Sequence, residues 1–314
     1  MLAYNLAYER VLRAPRMTVG LMSPLARSAG HMADIATEAA AAKCADALGF
    51  AALWARDVPL MVPQGSASEA VALDDPLVWL GYLSALTTKI ALGTAAVVLP
   101  LRNPLHLAKS ALSLDRLSGG RFLFGLGSGD REAEFAAFGV DPARRNLVFQ
   151  DHWALLRSAL SPAADARTEL LQATGGFDIV TPPSHRIPML AVGTARQSLQ
   201  WIAANSDGWA TYHREDARQQ GRIGLWSSAL AQRSEMPKPF IQSLHLELTD
   251  DPDVPPTPIE LGLRVGRKAL VSHLLRLESL GVAHVLLNLG ATHRSTLQIV
   301  EEIGRDVLPA LQTS

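Results

Sequence analysis

Cysteine is almost missing from this chain: Cys44 stands alone among 314 residues. A disulfide within the sequence is therefore excluded, and the expected setting is a reducing, cytoplasmic one. Charge of one sign is also missing. The 29 Lys and Arg offset the 30 Asp and Glu to a net −1, so no basic field awaits nucleic acid or an anionic membrane, and neither is expected as a partner. No apolar run approaches the roughly 18 residues needed to span a bilayer. Glu9, Arg10 and Arg13 break the N-terminal stretch where a secretory signal would be apolar. The nine histidines form no HExxH and have no cysteine partners, so no metal site is expected. GxxxxGK[ST] and GxSxG are absent. Gly125-Leu126-Gly127-Ser128-Gly129-Asp130 places aspartate where GxGxxG needs its third glycine.

What is present is apolar bulk, 48% of the chain, enough for a large core. The stretch Ile90 to Gly139 organises the rest. Residues 90–99 are almost continuously apolar, as in a strand covered on both faces. Pro100 and Arg102-Asn103-Pro104 interrupt it. Leu105, Ala108 and Leu112 then recur at helical spacing, with Gly119-Gly120 at the expected C-cap. A second apolar run, 121–127, ends in Gly-Ser-Gly before a new helix. This is a βαβ unit, with a right-handed crossover expected.

The same alternation runs along the chain. Strands are expected at 17–22, 50–55, 90–99, 121–127, 187–193, 208–212, 239–248 and 283–289, with helices between them. Residues 1–16 read as a helical lead-in across the bottom or side, 161–187 as an insertion, and 249–262 as an acidic, proline-rich loop. A helix is expected over 263–280. Eight strands with no consecutive hairpins point to an α/β fold, a (β/α)8 TIM barrel with insertion loops, forming one domain over 1–314. Cys44, in an alanine-rich helix, reads as a buried structural thiol.

In such a barrel, chemistry sits at the C-terminal strand ends. Small residues gather there after the fourth and fifth expected strands: Gly127, Ser128 and Gly129, then Gly193, Thr194 and Ala195. They suit close approach of a ligand to backbone, or simply tight turns. Two of these ends lead into helix N-termini, where free N–H groups can meet phosphate. The first carries Asp130, Glu132 and Glu134, which repel it. The second, Thr194-Ala195-Arg196-Gln197-Ser198, has two hydroxyls, an arginine and no carboxylate before Asp207. It is the favoured phosphate anchor, with Ser128 contributing, although Thr194 or Ser198 can equally serve as a helix cap. Arg56 and Asp57 leave the second strand together. They read as substrate-orienting or cofactor-stabilising groups, or as a salt bridge holding the loop, with Asp57 leaning to structure. Arg102, His213 and Arg214 are further mouth candidates.

The run GTAAVVLP (93–100), Asn103-Pro104, DRLSGGRFLFGLGSG (115–129) and EFAAFG (134–139) closely resembles the bacterial luciferase-like monooxygenase superfamily. So do AALW of the second strand and AVGTARQSLQWIAA around the fifth. The resemblance extends in order from about Met17 to Leu311. It implies a TIM barrel that binds reduced flavin, usually FMN, or in one branch coenzyme F420, for two-electron or oxygen chemistry on a small organic substrate. It implies a flavin reductase as a partner and a homodimer. It places a non-prolyl cis peptide at Ala95-Ala96, beneath the flavin ring, and phosphate contacts at Ser128, Thr194, Ala195 and Ser198. Luciferase has an arginine at the Ser128 position, for which Arg196 would compensate. Luciferase also has a glutamate and paired histidines after the second strand, where this chain reads Ala55-Arg56-Asp57-Val58. Light emission from an aldehyde is therefore not expected. The resulting expectation is an FMN-dependent monooxygenase or oxidoreductase. An F420-dependent reductase or dehydrogenase, or a non-catalytic flavin-binding homologue, are the alternatives.

Overall fold

Eight parallel strands close on themselves. The computed structural model describes residues 3–25, 31–61, 73–233, 236–290 and 294–312. In chain order the strands and helices are β1 (Thr18–Ser23), α1 (Ile35–Leu48), β2 (Ala52–Ala55), α2 (Pro76–Leu86), β3 (Ala91–Thr94), β4 (Val97–Val98), α3 (Pro104–Ser118), β5 (Phe122–Gly127), α4 (Glu132–Ala137), α5 (Arg145–Ala159) and α6 (Ala164–Ala173). There follow β6 (Met189–Val192), α7 (Leu199–Asn205), β7 (Trp209–Tyr212), α8 (Asp216–Ala231), β8 (Phe240–Leu248), β9 (Thr257–Ile259), β10 (Gly262–Val265), α9 (Arg267–Ser279), β11 (Val282–Leu289), α10 (Thr296–Glu302) and α11 (Leu308–Gln312). The barrel order is β1-β2-β3-β5-β6-β7-β8-β11, with β11 pairing back onto β1 and all of these pairings parallel. This is the (β/α)8 barrel expected of eight apolar runs alternating with helices.

Helix boundaries follow local chemistry. The Asp34 carboxylate accepts the Thr37 N–H at 2.8 Å to start α1, and Gly49 ends it at φ 85°. Asp75 and Asn103 cap α2 and α3, each with proline at the first helical position.

The apolar residues divide into two layers. The larger packs strand faces against the surrounding helices. The smaller fills the lumen: Met22, Ala52, Trp54, Ala91, Leu123, Leu190, Ala210, Ile241 and Leu286, joined by Ala7, Tyr8, Val11 and Leu12. The lead-in is thus helical and lies at the bottom, as expected, where its five-residue π-helical turn (Tyr8–Leu12) plugs the N-terminal end of the barrel. Asn5 Nδ2 donates to Phe122 O at 2.6 Å and Tyr8 Oη to Asp207 O at 2.7 Å, both near strand starts. Burying Val11 and Leu12 contributes about 1.5–3 kcal/mol each.

The structure differs from the sequence reading in several places. The third strand is not continuous over 90–99: it breaks at Ala95-Ala96, a non-prolyl cis peptide, and resumes as β4 against β5. The expected loop 249–262 and the head of the expected helix at 263 form an antiparallel hairpin, β9–β10, with β10 running parallel to the end of β8. The helix begins only at Arg267. Alternation therefore does lapse into one hairpin, whose strands extend the long β8 beyond the barrel rim. The 161–187 segment carries α6. Cys44 is half-buried on the outer side of α1 and packs at the edge of the core, not inside it. Among the described residues no helix is long and apolar enough to cross a membrane.

Candidate active site

Strand alternation decides which side chains reach the mouth. The lumen face that carries Trp54, Leu123, Leu190, Ala210, Ile241 and Leu286 continues two residues at a time toward the C-terminal rim. It arrives at Gly127, Val192, Tyr212, Ser243, His245, Glu247 and Asn288, and just past the strand ends at Arg56 and Ala95.

One wall of this mouth has almost no side chains. Ala95 N–H donates to Ala55 O at 2.8 Å, fixing Ala95 beside Arg56. A Cβ on Gly127 would come within 3.3 Å of the Ala96 Cβ, and one on Gly125 within 1.9 Å of Thr94 O. The Thr94 hydroxyl bridges the two strands, donating to Gly125 O at 2.8 Å and accepting the Gly125 N–H at 3.0 Å. Ala95, Ala96 and Gly127 thus form a flat backbone surface.

The wall ends in a turn after β6. Gly193, Ala195 and Arg196 have φ of 66°, 48° and 57°, left-handed values that are unusual for alanine and arginine. A turn of this kind can aim successive backbone N–H groups into one concave space. Among the described residues the Thr194 and Ala195 N–H groups have no acceptor, whereas Gly193 N–H is taken by Ala210 O. Across from the turn, Ser128 is buried, its hydroxyl without a protein partner among the described residues. Gly129 has φ 77°, and a Cβ there would come within 2.8 Å of Val98 and 3.1 Å of Phe135, so the turn needs glycine. Ser198 Oγ accepts the Trp201 N–H at 3.1 Å, so it caps α7, and α7 is only two turns long. The unused N–H groups therefore belong to the Gly193–Arg196 turn, which precedes the short α7. Arg196 is exposed, with Glu132 3.9 Å away.

The rest of the mouth is polar, beginning beside the flat wall at the end of β2. Asp57 is held by Arg102, which also reaches Asp75. The side chain of Arg56 is half-buried and has no hydrogen bond or ion pair among the described residues. Burial pushes its guanidinium down from the ordinary value, and the nearby Tyr212 phenol partly offsets this. Tyr212 is pushed up, by burial first and then by the Asp130 carboxylate, against the influence of Arg56. Asn288 Oδ1 is buried with no partner. His213 and Arg214 follow Tyr212 out of the barrel. His213 turns away from the mouth to a buried cluster, where its Nδ1 lies 2.9 Å from Gln242 Nε2.

The floor is a chain the sequence reading missed. Trp54 Nε1–H donates to His284 Nε2 at 3.0 Å, and His284 Nδ1 lies 2.7 Å from Thr18 Oγ1, which donates to Val11 O. Both imidazole nitrogens are used by the neutral ring. Complete burial lowers its pKa to about 3. The only signal in the sequence was a histidine inside an apolar strand run.

Among the described residues no cluster of metal-ligating side chains occurs. The profile of the luciferase-like monooxygenase family matches residues 17–254. An uncharacterized protein of Mycobacterium tuberculosis is 31% identical over 194 residues, covering 57% of this chain and 68% of that one. Among the solved structures to which the fold is similar are two that carry a coenzyme. One is an F420-dependent secondary alcohol dehydrogenase in complex with an F420-acetone adduct, with TM-score 0.72 and 14% identity over 94% of this chain and 99% of the other. The second is the oxygenating constituent of 3,6-diketocamphane monooxygenase from Pseudomonas putida in complex with FMN, with TM-score 0.67 and 13% identity over 94% and 98%.

Proposed function

The chain belongs to the luciferase-like monooxygenase family, and from that footing we propose that it is an FMN-dependent oxidoreductase acting with oxygen on a small organic substrate. The observation that carries the reading is the pairing of a bare backbone wall with an open turn. Ala95, Ala96 and Gly127 leave room for a flat ring that any larger side chain would occupy, and the turn 193–196 ends that wall with unused N–H groups.

The residues present fit the coenzyme. Its ring would lie against Ala95-Ala96 and Gly127. Its phosphate would take the Thr194 and Ala195 N–H groups and the Ser128 hydroxyl, with the Arg196 charge nearby. Bound in its reduced form, FMN supplies two electrons to oxygen or to a substrate. The protein's own part is positioning and exclusion of water. Trp54, 1% exposed, and the plug beneath it close the lumen floor. Tyr212, 49% exposed at the rim, is a protonated hydrogen-bond donor at neutral pH, as an ordinary phenol already is, and the Asp130 carboxylate further disfavours its phenolate. A flavin reductase that delivers the coenzyme, and a homodimer, belong to the same proposal.

Titration of the full chain with photoreduced FMN under anaerobic conditions tests it, together with oxygen uptake in the presence of a flavin reductase and NADH. The reading requires saturable FMN binding and oxygen uptake above that of free flavin. Saturable binding of F420 with none of FMN would reassign the site to deazaflavin chemistry. Binding without oxygen uptake above background would leave a flavin carrier.

A further inference from the structure

Among the described residues of the mouth, Arg56 is a cation with no hydrogen bond or ion pair to the protein. Every other buried or half-buried arginine whose contacts the structure gives is spent on protein partners. Arg121 donates to Ser118 O, Thr87 Oγ1, Ile90 O, Ser84 O and Thr87 O. Arg157 and Arg186 converge on the buried Asp207 carboxylate. Arg145 pairs with Glu132. Arg102 takes Asp57, the carboxylate beside Arg56 in sequence, through both Nε and Nη2. Arg56 is left with the Tyr212 phenol as its ionisable neighbour, half-buried at the lumen rim.

Taking a guanidinium partly out of water with no counter-charge is costly. A group kept in that state fits a site whose partner arrives from outside. The planar fork of arginine matches a carboxylate with two parallel hydrogen bonds. Tyr212 adds a third donor, its proton retained for the reasons given above. Arg56 stands beside Ala95, at the edge of the flat wall, and Tyr212 rises from β7 across the lumen. A ligand group held between them would therefore span the lumen from the edge of that wall to β7.

We infer that Arg56 and Tyr212 form a carboxylate subsite, so that the substrate of this protein is a small organic acid bound by its carboxylate at the mouth. The inference rests on reading this mouth as the active site, and it is independent of which coenzyme lies on the wall. It accounts for the replacement of the luciferase residues after the second strand: a cation that fixes an acid stands where that enzyme has a glutamate and histidines.

The test is calorimetric titration of the full chain with benzoate and hexanoate, and with benzamide and hexanamide as neutral isosteres, with and without saturating FMN. At least one acid is expected to bind about tenfold or more tightly than its amide. Arg56→Gln is expected to abolish that preference and Arg56→Lys to retain part of it, because lysine keeps the charge but not the fork. Tyr212→Phe is expected to weaken the acid severalfold with the amide unchanged, and it serves should Arg56→Gln fail to fold. Equal affinity for acid and amide, or no acid binding below about 10 mM, would overturn the subsite. So would an Arg56→Gln variant that loses FMN and keeps the acid preference, since Arg56 would then serve the coenzyme. Arg56-dependent acid binding in a protein that binds no FMN would sink the proposed coenzyme and leave this inference standing.

Discussion

Arg102 grips Asp57 through two hydrogen bonds, Nη2 to Oδ1 at 2.8 Å and Nε to Oδ2 at 2.9 Å, although 45 residues separate them. Asp57 Oδ2 also accepts the Val98 N–H at 3.0 Å. The carboxylate thereby ties the end of β2 to the short strand that follows Ala95-Ala96, and holds the flat wall in place. Its side chain is 1% exposed. Asp57 is thus a positioning residue, and Arg56 the neighbour free to meet a ligand.

Asp57→Asn leaves Arg102 without half of its fork and replaces a buried charge with an amide. Breaking such a pair costs about 3 kcal/mol. Urea unfolding is expected to register a loss of that order, and FMN affinity is expected to fall with it. A variant as stable as the parent would remove Asp57 from this role.

Gly127→Val tests the wall itself. Its Cβ would stand 3.3 Å from that of Ala96, in the space assigned to the ring, and the backbone there does not need glycine's positive φ. The variant is expected to keep its far-UV circular dichroism and to bind FMN at least tenfold more weakly, about 1.4 kcal/mol or more. Undiminished affinity would move the ring elsewhere.

Thr194→Asp sets an anion against the phosphate at the turn. At least a tenfold loss of FMN affinity is expected, with loss of riboflavin affinity much smaller because riboflavin has no phosphate. Equal losses for both would show a general disturbance of the mouth.

His284 makes stability fall with acid. Its folded pKa is lowered to about 3 from an ordinary 6.5, and that of His273 to about 4, chiefly by burial in both cases. The unfolded chain therefore binds more protons between those values and pH 6.5. The stability contributed by neutral imidazole is complete above pH 6.5 and is lost as pH falls toward about 3–4, at about 1.4 kcal/mol per unit for each ring. Denaturant unfolding at pH 7 and pH 5 is expected to differ by about 4 kcal/mol for the two histidines together, and by about half of that in His284→Gln. A slope unchanged in that variant would contradict the assignment.

The strands were legible because each is a short apolar run bounded by turn residues, and because helices with clear caps at Asp34, Asp75 and Asn103 separate them. The hairpin β9–β10 was not. Thr257–Ile259 has three residues, one of them proline, and it pairs only because β8 runs on past the rim. At the site, small residues at Ala95, Ala96, Gly127 and Gly193 could be read from composition and resemblance. The status of Arg56 and Asp57 could not. It depends on Arg102 claiming one carboxylate and leaving the adjacent cation free, a competition between residues distant in sequence. Ser198 caps α7 in the structure, and the sequence alone does not separate a capping serine from a phosphate-binding one, because both have the same signature. Trp54 and His284, 230 positions apart, meet only once the barrel has closed.

The central claim is a flat coenzyme lying on the Ala95-Ala96 wall with its phosphate at the turn after β6. A crystal structure of the protein soaked with FMN under reducing conditions tests it most directly. The expected density shows the ring stacked on Ala95, Ala96 and Gly127, and the phosphate within hydrogen-bond distance of the Thr194 and Ala195 N–H groups and the Ser128 hydroxyl. A ring bound away from that wall, or a mouth without coenzyme at saturating FMN, would contradict the account.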